Sequence, residues 1–321
     1  VIVAKRSSKG RIKTCRVHDL VHELCLVKVK EENFLHWVHE RDVSQNLDPR
    51  EYDQYRLCID SEWTHFTKSS SQGPLVNSLQ LFGTYEMSQP HSSPSSFFNN
   101  FRLLQVLDLE CLYLEPSFPE EITLITPLRY LALWCSIRHV PSSIGNLWNL
   151  ETFIVKSAQL DVPLPDSFWR LKHLRHAAVG DLNHTSFIDS EQGESCQLDN
   201  IVTFSKPTLA FGKDSEELMR RLPRLQKLNC VFFEPQYDHL KPILFPKLSS
   251  LSNLESLKVY SYGMVFYGEK RDQFPTFDFP NTLRKLTLGR FSVPWSAISV
   301  IGQLPNLEIL KLRRNSFSGP R

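Results

Sequence analysis

Polar side chains at two spacings in this 321-residue chain could in principle bind a metal or a phosphate. His18 and His22 lie four residues apart beside Glu23, which on a helix would place both imidazoles on one face, as zinc requires. The histidine–glutamate–two residues–histidine order of helical zinc enzymes is absent, however, and no third ligand is obvious. A metal site here is therefore a weak hypothesis, and we expect no metal.

A glycine pair gives the second spacing. Gly263 and Gly268 enclose four residues, as in a phosphate-binding loop, but Glu269 stands where that loop needs lysine and Lys270 where it needs serine or threonine. One glycosylation triplet, at residues 183–185, is close to the number expected by chance. No nucleophile elbow or paired-carboxylate cleft stands out. We therefore expect a protein that is not an enzyme and has no cofactor within this chain.

Composition excludes several other classes of protein. The net charge of +2 does not favour nucleic acid as a partner, and no run of 18 apolar residues could span a membrane. The first residues lack the apolar core of a secretion signal. Seven cysteines, an odd number without any CxxC pair, favour reduced and mostly buried thiols in a cytoplasmic protein.

A repeated apolar phrase dominates the chain: leucine, two residues, leucine, one residue, leucine. Ten copies begin, by this pattern, at Val76, Leu104, Leu128, Leu150, Leu174, Leu198, Leu225, Leu254, Leu283 and Leu307. From Leu104 onward the steps are 22 to 29 residues, within or just beyond the period of leucine-rich repeats. The pattern predicts an α/β fold, a horseshoe-shaped solenoid with a concave parallel sheet that serves binding rather than catalysis.

The remaining segments predict how the chain is divided. Residues 1–6 and 11–16 favour a β-hairpin, and an apolar stripe predicts a helix from Val17 to Lys30. Residues 35–54 are interpreted as a connector with weak helix, and residues 55–321 as the repeat domain, with a first strand at 55–59. Proline-led segments such as those beginning at Pro141 and Pro165 should cover the convex side. The last repeat lacks its convex half, which predicts a truncated repeat domain and an exposed sheet edge after Leu312.

Residues between the inward leucines should face the concave side. The early strands carry acid at Asp108 and Glu110, with Lys156 nearby, and the later strands are mainly basic. Tyrosine, tryptophan and arginine are common anchors of protein interfaces. The candidate partner-binding residues are Arg129, Tyr130, Trp134, Lys227, Lys258, Tyr260, Lys285, Lys311 and Arg313.

Residues 14–25, TCRVHDLVHELC, followed by KEENFL at 30–35, resemble the plant intracellular nucleotide-binding leucine-rich-repeat disease-resistance proteins. The similar group is the coiled-coil type associated with late-blight resistance. Val17-His18-Asp19 matches the family's Met-His-Asp motif, and residues 104–109 resemble an early repeat. By this resemblance, residues 1–34 are the end of a winged-helix subdomain that precedes the repeats in a longer protein.

The resemblance also implies a mechanism. His18 would contact the phosphate side of ADP in the full-length receptor and Asp19 would hold the local geometry. The repeats would dock on the nucleotide-binding module and stabilise its ADP state, until a pathogen effector or a guarded host protein binds and permits exchange for ATP. The expected location is cytoplasmic, with peripheral association at the plasma membrane left open.

Two other functions remain as alternatives. A substrate adaptor of a ubiquitin ligase, or another protein-interaction scaffold, would use the same repeats, and an F-box upstream would mark the adaptor. An extracellular receptor would need a secretion signal, paired cysteines and several glycosylation sites, which this sequence does not offer.

Overall fold

Thirteen strands in the described part of the chain form one parallel sheet. The computed structural model describes residues 2–6, 12–32, 34–39, 56–60, 75–82, 98–114, 118–157, 162, 164–180, 186–187, 196–210, 213–233, 245–262, 277–291, 293–295, 298–314 and 316–318. The sheet order is β16-β14-β13-β12-β11-β9-β8-β7-β6-β5-β4-β3, with β10 beside β11. Nearly every strand therefore lies beside its neighbour in sequence, which is the arrangement of a solenoid.

The strands are β1 (Ile2–Arg6), β2 (Ile12–Arg16), β3 (His36–His39), β4 (Arg56–Asp60), β5 (Ser78–Leu81), β6 (Val106–Leu114), β7 (Tyr130–Cys135), β8 (Thr152–Lys156), β9 (His176–Val179), β10 (Ser186–Phe187), β11 (Thr203–Ala210), β12 (Lys227–Phe233), β13 (Ser256–Tyr262), β14 (Lys285–Gly289), β15 (Val293–Pro294), β16 (Ile309–Arg313) and β17 (Phe317–Ser318). The α-helices are α1 (Asp19–Glu31), α2 (Lys213–Arg220) and α3 (Ile298–Gly302). Short 3-10 helices span Phe98–Asn100, Glu120–Leu124, Ser142–Asn146 and Asp166–Arg170.

The leucines of the phrase form the core, as predicted. Leu107 pairs in register with Leu131, and Leu131 with Phe153, so inward residues stack from rung to rung. All three are fully buried. Burying an aliphatic side chain contributes about 1.5–3 kcal/mol, whereas ordering each backbone residue costs about 1–2 kcal/mol. A single repeat cannot offset that cost alone, so the stack is the stable unit.

A tight turn precedes the strands and corrects one repeat boundary. The backbone N–H of Leu150 donates to the carbonyl of Leu147, and Ile201 makes the same bond with Leu198. Leu198 is therefore the equivalent of Leu147, and the phrase of its repeat begins at Ile201. Phe204, not Thr203, is the inward residue of β11, since it pairs with Ala177. The prediction at Leu198 was wrong because leucines three residues apart occur in both the turn and the phrase.

The convex side of three successive repeats is a proline-led 3-10 helix. Pro119, Pro141 and Pro165 immediately precede the helices at Glu120–Leu124, Ser142–Asn146 and Asp166–Arg170. Proline fixes φ and has no N–H to leave unpaired, which suits the first position of such a turn. Ile144 and Phe168 are fully buried behind the sheet, which confirms that these proline-led segments cover the convex side.

Farther along the chain, the core contains a cluster of phenylalanine rings. Phe245 lies 5.1 Å from Phe277, 5.7 Å from Phe279 and 6.3 Å from Phe291, measured between ring centroids. The edge-to-face orientation of these rings is a favourable aromatic geometry. An aromatic cluster therefore forms part of the core in the later repeats.

Asparagine side chains join neighbouring repeats, a feature that the sequence analysis missed. Asn149 Nδ2 donates to the Thr126 carbonyl at 3.1 Å, one repeat earlier. The same bond recurs from Asn200 to Lys172, from Asn253 to Pro223 and from Asn306 to Asn281. Each asparagine lies directly before the first apolar residue of its phrase, so each contributes a cross-repeat bond of about 1 kcal/mol.

The amino-terminal segments match their predicted types. β1 and β2 pair antiparallel as the expected hairpin, and α1 follows. The expected weak helix is wrong for residues 36–39, because His36–His39 forms β3 and pairs parallel with β4. Trp37 stacks on Phe82, with centroids 5.4 Å apart. A four-residue strand is too short to show a period of two in sequence.

At its carboxyl-terminal end, the described sheet finishes with β16. β16 is the last strand in the order, and its inward leucines Leu310 and Leu312 are 39% and 37% exposed. Predictions that fall on residues 183–185 and 263–270 lie outside the described residues. Of the described helices, none has the length and hydropathy needed to cross a bilayer.

None of the seven cysteines forms a disulfide. Cys58, Cys135 and Cys230 are buried as expected, whereas Cys15 and Cys25 are exposed. Burial raises the pKa of Cys135 to about 12 and also raises that of Cys230, so neither thiol is suited to act as a nucleophile near neutral pH.

Candidate binding surface on the concave sheet

Strand register arranges the residues of the concave face in rows that run across the strands. We call the residues level with Tyr130 the first row and those two positions further along each strand the second row. The first row contains Val106, Tyr130, Thr152, His176, Thr203, Lys227, Ser256, Lys285 and Ile309. The second row contains Asp108, Ala132, Ile154, Ala178, Ser205, Asn229, Lys258, Thr287 and Lys311.

The amino-terminal part of this face is acidic and internally paired. Asp108 Oδ1 accepts the backbone N–H of Glu110 at 3.1 Å, and Glu110 forms a 3.5 Å ion pair with Lys156. Burial raises the pKa of Asp108 despite that hydrogen bond. Burial and the two carboxylates raise the pKa of Tyr130 to about 12, so its hydroxyl remains protonated and able to donate.

A bulge in β6 places an aromatic pair on the same face. The register with β7 shifts between Leu109 and Tyr113, which brings Tyr113 opposite Trp134. Their ring centroids lie 5.1 Å apart at an interplanar angle of 51°. Both residues are partly exposed. Trp134 was predicted as a partner contact, whereas Tyr113 was missed because the bulge disturbs the alternation that marks outward positions.

Ion pairs between rungs occupy two of the arginines that directly precede strands. Arg129 Nε donates to Glu151 Oε1 at 2.9 Å, and Arg284 pairs with Glu308 at 3.5 Å. Exposed pairs of this kind contribute little to stability, but they neutralise the charges involved. Arg129 is thus less available to a partner than its sequence position implied.

The carboxyl-terminal part of the face is basic. Lys227, Lys258, Lys285 and Lys311 are exposed, and they alternate between the first and second rows on successive strands. Arg313 follows on β16 and is also exposed. Within the described residues, no carboxylate forms an ion pair with these five side chains.

Tyr260 is held in place beside these lysines. Its ring lies over Gly289, where a β-carbon would come within 2.5 Å of Tyr260 Cε1. Lys258 Nζ lies 5.2 Å from the centroid of the same ring, a cation–π contact. Glycine at position 289 therefore provides the space for the ring. The repeated leucine phrase does not predict this requirement.

Two open depressions lie along the sheet. One of about 440 Å³ is bordered by Glu151, His173, Arg175 and Arg224 among other residues. The other, of about 430 Å³, is near Arg56, whose guanidinium carbon lies 4.2 Å from the Phe34 ring centroid. Among the described residues, no group of three or more histidine, cysteine or acidic side chains is placed to bind a metal.

His18 lies at the start of α1. Its Nδ1 accepts the backbone N–H of Leu20 at 3.3 Å, and its carbonyl accepts the N–H of His22 at 2.9 Å. Asp19 occupies the first turn, where a negative charge is favourable for the helix dipole. The stripe of Val17, Leu20 and related residues is exposed. The structure thus gives His18 a capping role, and its nucleotide-sensing role stays a prediction.

These repeating strands, turns and inward apolar residues define a leucine-rich-repeat solenoid. The chain belongs to the leucine-rich repeat family, whose repeat-region model matches residues 84–319. Among solved structures, a leucine-rich-repeat protein of Leptospira interrogans superposes with a TM-score of 0.54 at 17% identity, covering 81% of this chain and 62% of that chain. That likeness supports the fold.

The relatives are disease-resistance proteins of Solanum demissum. The chain is 33% identical to the putative late blight resistance protein homolog R1B-16, over 100% of its own length and 24% of the relative. It is 31% identical to late blight resistance protein R1-A, over 100% of its own length and 25% of that protein. The similarity to late blight resistance proteins that the sequence led us to expect is confirmed over the whole chain. The chain spans about a quarter of these relatives.

Proposed function

We propose that this chain is the recognition region of a plant disease-resistance receptor and that its concave sheet binds a protein partner. One observation supports this most directly: Tyr113, Trp134 and Tyr260 lie on the outward face of one sheet whose inward face is lined mainly by buried apolar side chains. Partly exposed aromatic residues on a preorganised surface reduce the entropy cost of binding. The surface is accordingly a module for interaction rather than for catalysis.

The relatives favour a receptor over a ubiquitin-ligase adaptor. Every part of the chain, including the hairpin and α1 before the repeats, is covered by the match to late blight resistance proteins. An adaptor would use the same concave face, so the segments before the repeats decide between the two. In the proposed receptor the partner would be a pathogen effector or a guarded host protein, met in the cytoplasm.

The proposed receptor works as a switch. The repeats favour the ADP state of a nucleotide-binding module in the longer protein, and a partner with higher affinity for the released state shifts the equilibrium. His18 and Asp19, at the start of α1, would face that module. Substituting His18 in the full-length receptor should therefore give signalling without a partner.

The test uses two tryptophans in the full-length receptor. Trp134→Ala removes an aromatic from the concave face, while Trp148→Ala removes a tryptophan that is 57% exposed in a turn before β8. Expressed in leaves with effectors of a matched pathogen, the Trp134 variant should lose most of the cell-death response, and the Trp148 variant should keep it. Equal responses from both variants, with equal protein levels, would contradict recognition through the concave face.

A further inference from the structure

On the basic, carboxyl-terminal part of the concave face, long and short side chains alternate along both rows. Along the first row the order is Lys227, Ser256, Lys285, and along the second row it is Lys258, Thr287, Lys311. Adjacent strands lie about 4.8 Å apart. Each short residue is therefore flanked on both neighbouring strands by a lysine, and we call each such position between two lysines a recess.

The first recess is centred on Ser256. Lys227 and Lys285 lie beside it on β12 and β14, and Lys258 lies two positions further along the same strand. Three lysines are thus neighbours of Ser256 in the sheet register, with Lys258 Nζ lying on the Tyr260 side of its strand, and Ser256 itself is partly exposed. A hydroxyl and three ammonium groups can donate to one carboxylate.

The second recess is centred on Thr287. Lys258 and Lys311 lie beside it on β13 and β16, and Lys285 lies two positions earlier on the same strand. Lys258 and Lys285 therefore border both recesses. With strands about 4.8 Å apart and alternate residues about 6.6 Å apart along a strand, the two recess centres lie about 8 Å apart. That distance is near the roughly 6.6–6.8 Å that separates alternate residues of an extended chain.

The four lysines lack acidic partners in the part of the chain that the structure describes. This distinguishes them from Arg129, Lys156 and Arg284, which form ion pairs on the same sheet. Like charges so close together repel one another, so a ligand that neutralises them gains affinity and a faster encounter.

We infer that this end of the sheet binds an extended acidic protein segment that presents carboxylates on alternate residues, one to each recess. The inference rests on the proposed function and names the chemistry of the partner. Tyr260, on the same strand as Ser256 and Lys258 and held over Gly289, provides an adjacent apolar contact for the segment.

The side chains favour carboxylates over a phosphate polymer. All four alternating cations are lysines, whereas arginine is the residue that matches phosphate geometry through two hydrogen bonds. The backbone amides of β13 and β14 are also used within the sheet, so they form no phosphate cradle. A nucleic acid or polyphosphate is therefore the competing ligand class that the experiment must separate.

The experiment measures fluorescence anisotropy of a labelled synthetic peptide, Glu-Thr-Glu-Thr-Glu-Thr-Glu, on the full chain. The comparison probes are a peptide of the same composition with its glutamates in one block, an inorganic polyphosphate and a single-stranded oligonucleotide. Lys258→Glu removes a cation from both recesses, and Ser256→Glu fills one recess with a carboxylate. Lys247→Glu is the control, since Lys247 is an exposed lysine outside the strands. Circular dichroism confirms that each variant is folded.

We expect the alternating peptide to bind more tightly than the block peptide. Lys258→Glu and Ser256→Glu should each weaken it by roughly tenfold, the effect of about 1.4 kcal/mol, and Lys247→Glu should leave it unchanged. Raising salt from about 0.1 M to about 1 M should also weaken binding, because the Debye length falls from about 10 Å to about 3 Å.

Three results would overturn the inference. The first is no binding of the alternating peptide, and the second is that the folded Lys258→Glu and Ser256→Glu variants bind it as tightly as the unchanged chain does. The third is that polyphosphate or the oligonucleotide binds more tightly than the peptide and loses affinity in the same variants. A receptor that still responds through Trp134 while the peptide fails to bind would overturn the acidic-segment inference alone. If the peptide binds but the receptor's response does not depend on Trp134, that result would count against the proposed function alone.

Discussion

His176 shows how single side chains set the charge of the concave face. It lies in the first row, with Nδ1 2.8 Å from Thr203 Oγ1. Burial, then Arg175 and Lys227, lower the pKa of His176, and Glu151 opposes them. Near neutral pH the histidine is therefore neutral, and the positive charge of this region comes from lysine and arginine.

The predicted pH effect follows from that shift. The unfolded chain binds the proton near the ordinary pKa of 6.5 while the folded chain resists it, so stability is retained above about pH 6.5 and falls as the pH drops below it. In an NMR titration, His176 should have a pKa below 6.5 that rises in Lys227→Ala. Lys285→Ala, two strands further away, is the control. An unchanged pKa in the Lys227 variant would contradict the contribution assigned to Lys227.

Among the elements, the 3-10 helices of neighbouring repeats pack at the limit of contact. A β-carbon built on Gly145 would lie 2.8 Å from Ser167 Cβ and 3.3 Å from the Ser167 carbonyl oxygen. Close packing of Ser142–Asn146 on Asp166–Arg170 therefore depends on glycine at position 145. The sequence alone gives no reason to choose glycine there, since its effect is on the next repeat.

This contact predicts a pair of compensating substitutions. Gly145→Ala should force the two helices apart and lower the free energy of unfolding by about 1–3 kcal/mol. Adding Ser167→Gly removes the nearer clashing atom and should restore part of the loss. Urea denaturation of the single and double variants measures the coupling. If the two effects simply add, the clash is not the cause of the destabilisation.

At the scale of the whole molecule, stability comes from nearest neighbours in a one-dimensional stack. An interior rung has a partner on each side, as Leu257 does between Leu228 and Leu286. Leu312, on the edge strand, pairs with Leu288 on one side and is 37% exposed. The same residue type should therefore contribute different amounts at different places in the stack.

Truncating two leucines tests this gradient. Leu257→Ala should cost about 2–5 kcal/mol, because Leu257 is 1% exposed and its removal leaves a cavity. Leu312→Ala should cost well under about 2 kcal/mol, because the side chain already contacts water. Urea denaturation followed by circular dichroism measures both. Equal costs would mean that the edge strand is covered in solution.

Sequence alone predicted the solenoid, the hairpin and the apolar residues that face inward. These features were predictable because alternate residues of a strand point to the same side of the sheet. Each strand therefore needs apolar residues two positions apart, as at Leu286 and Leu288, and the same pattern recurs in every repeat. Prediction from sequence failed where the period is short or ambiguous, at β3 and at the boundary between Leu198 and Ile201. Both cases were decided by pairing with a neighbouring strand.

The chemistry of the surface was decided by the tertiary structure. The basic side chains were identifiable in the sequence, but the recesses at Ser256 and Thr287 exist only because strands 29 and 24 residues apart are in register. The same holds for the ion pair of Arg129 with Glu151 and for the asparagine bonds between repeats. Whether a side chain points into the core follows a local pattern along the chain. Which residues lie side by side on adjacent strands depends on the length of the convex segment between those strands, and the apolar phrase does not specify that length.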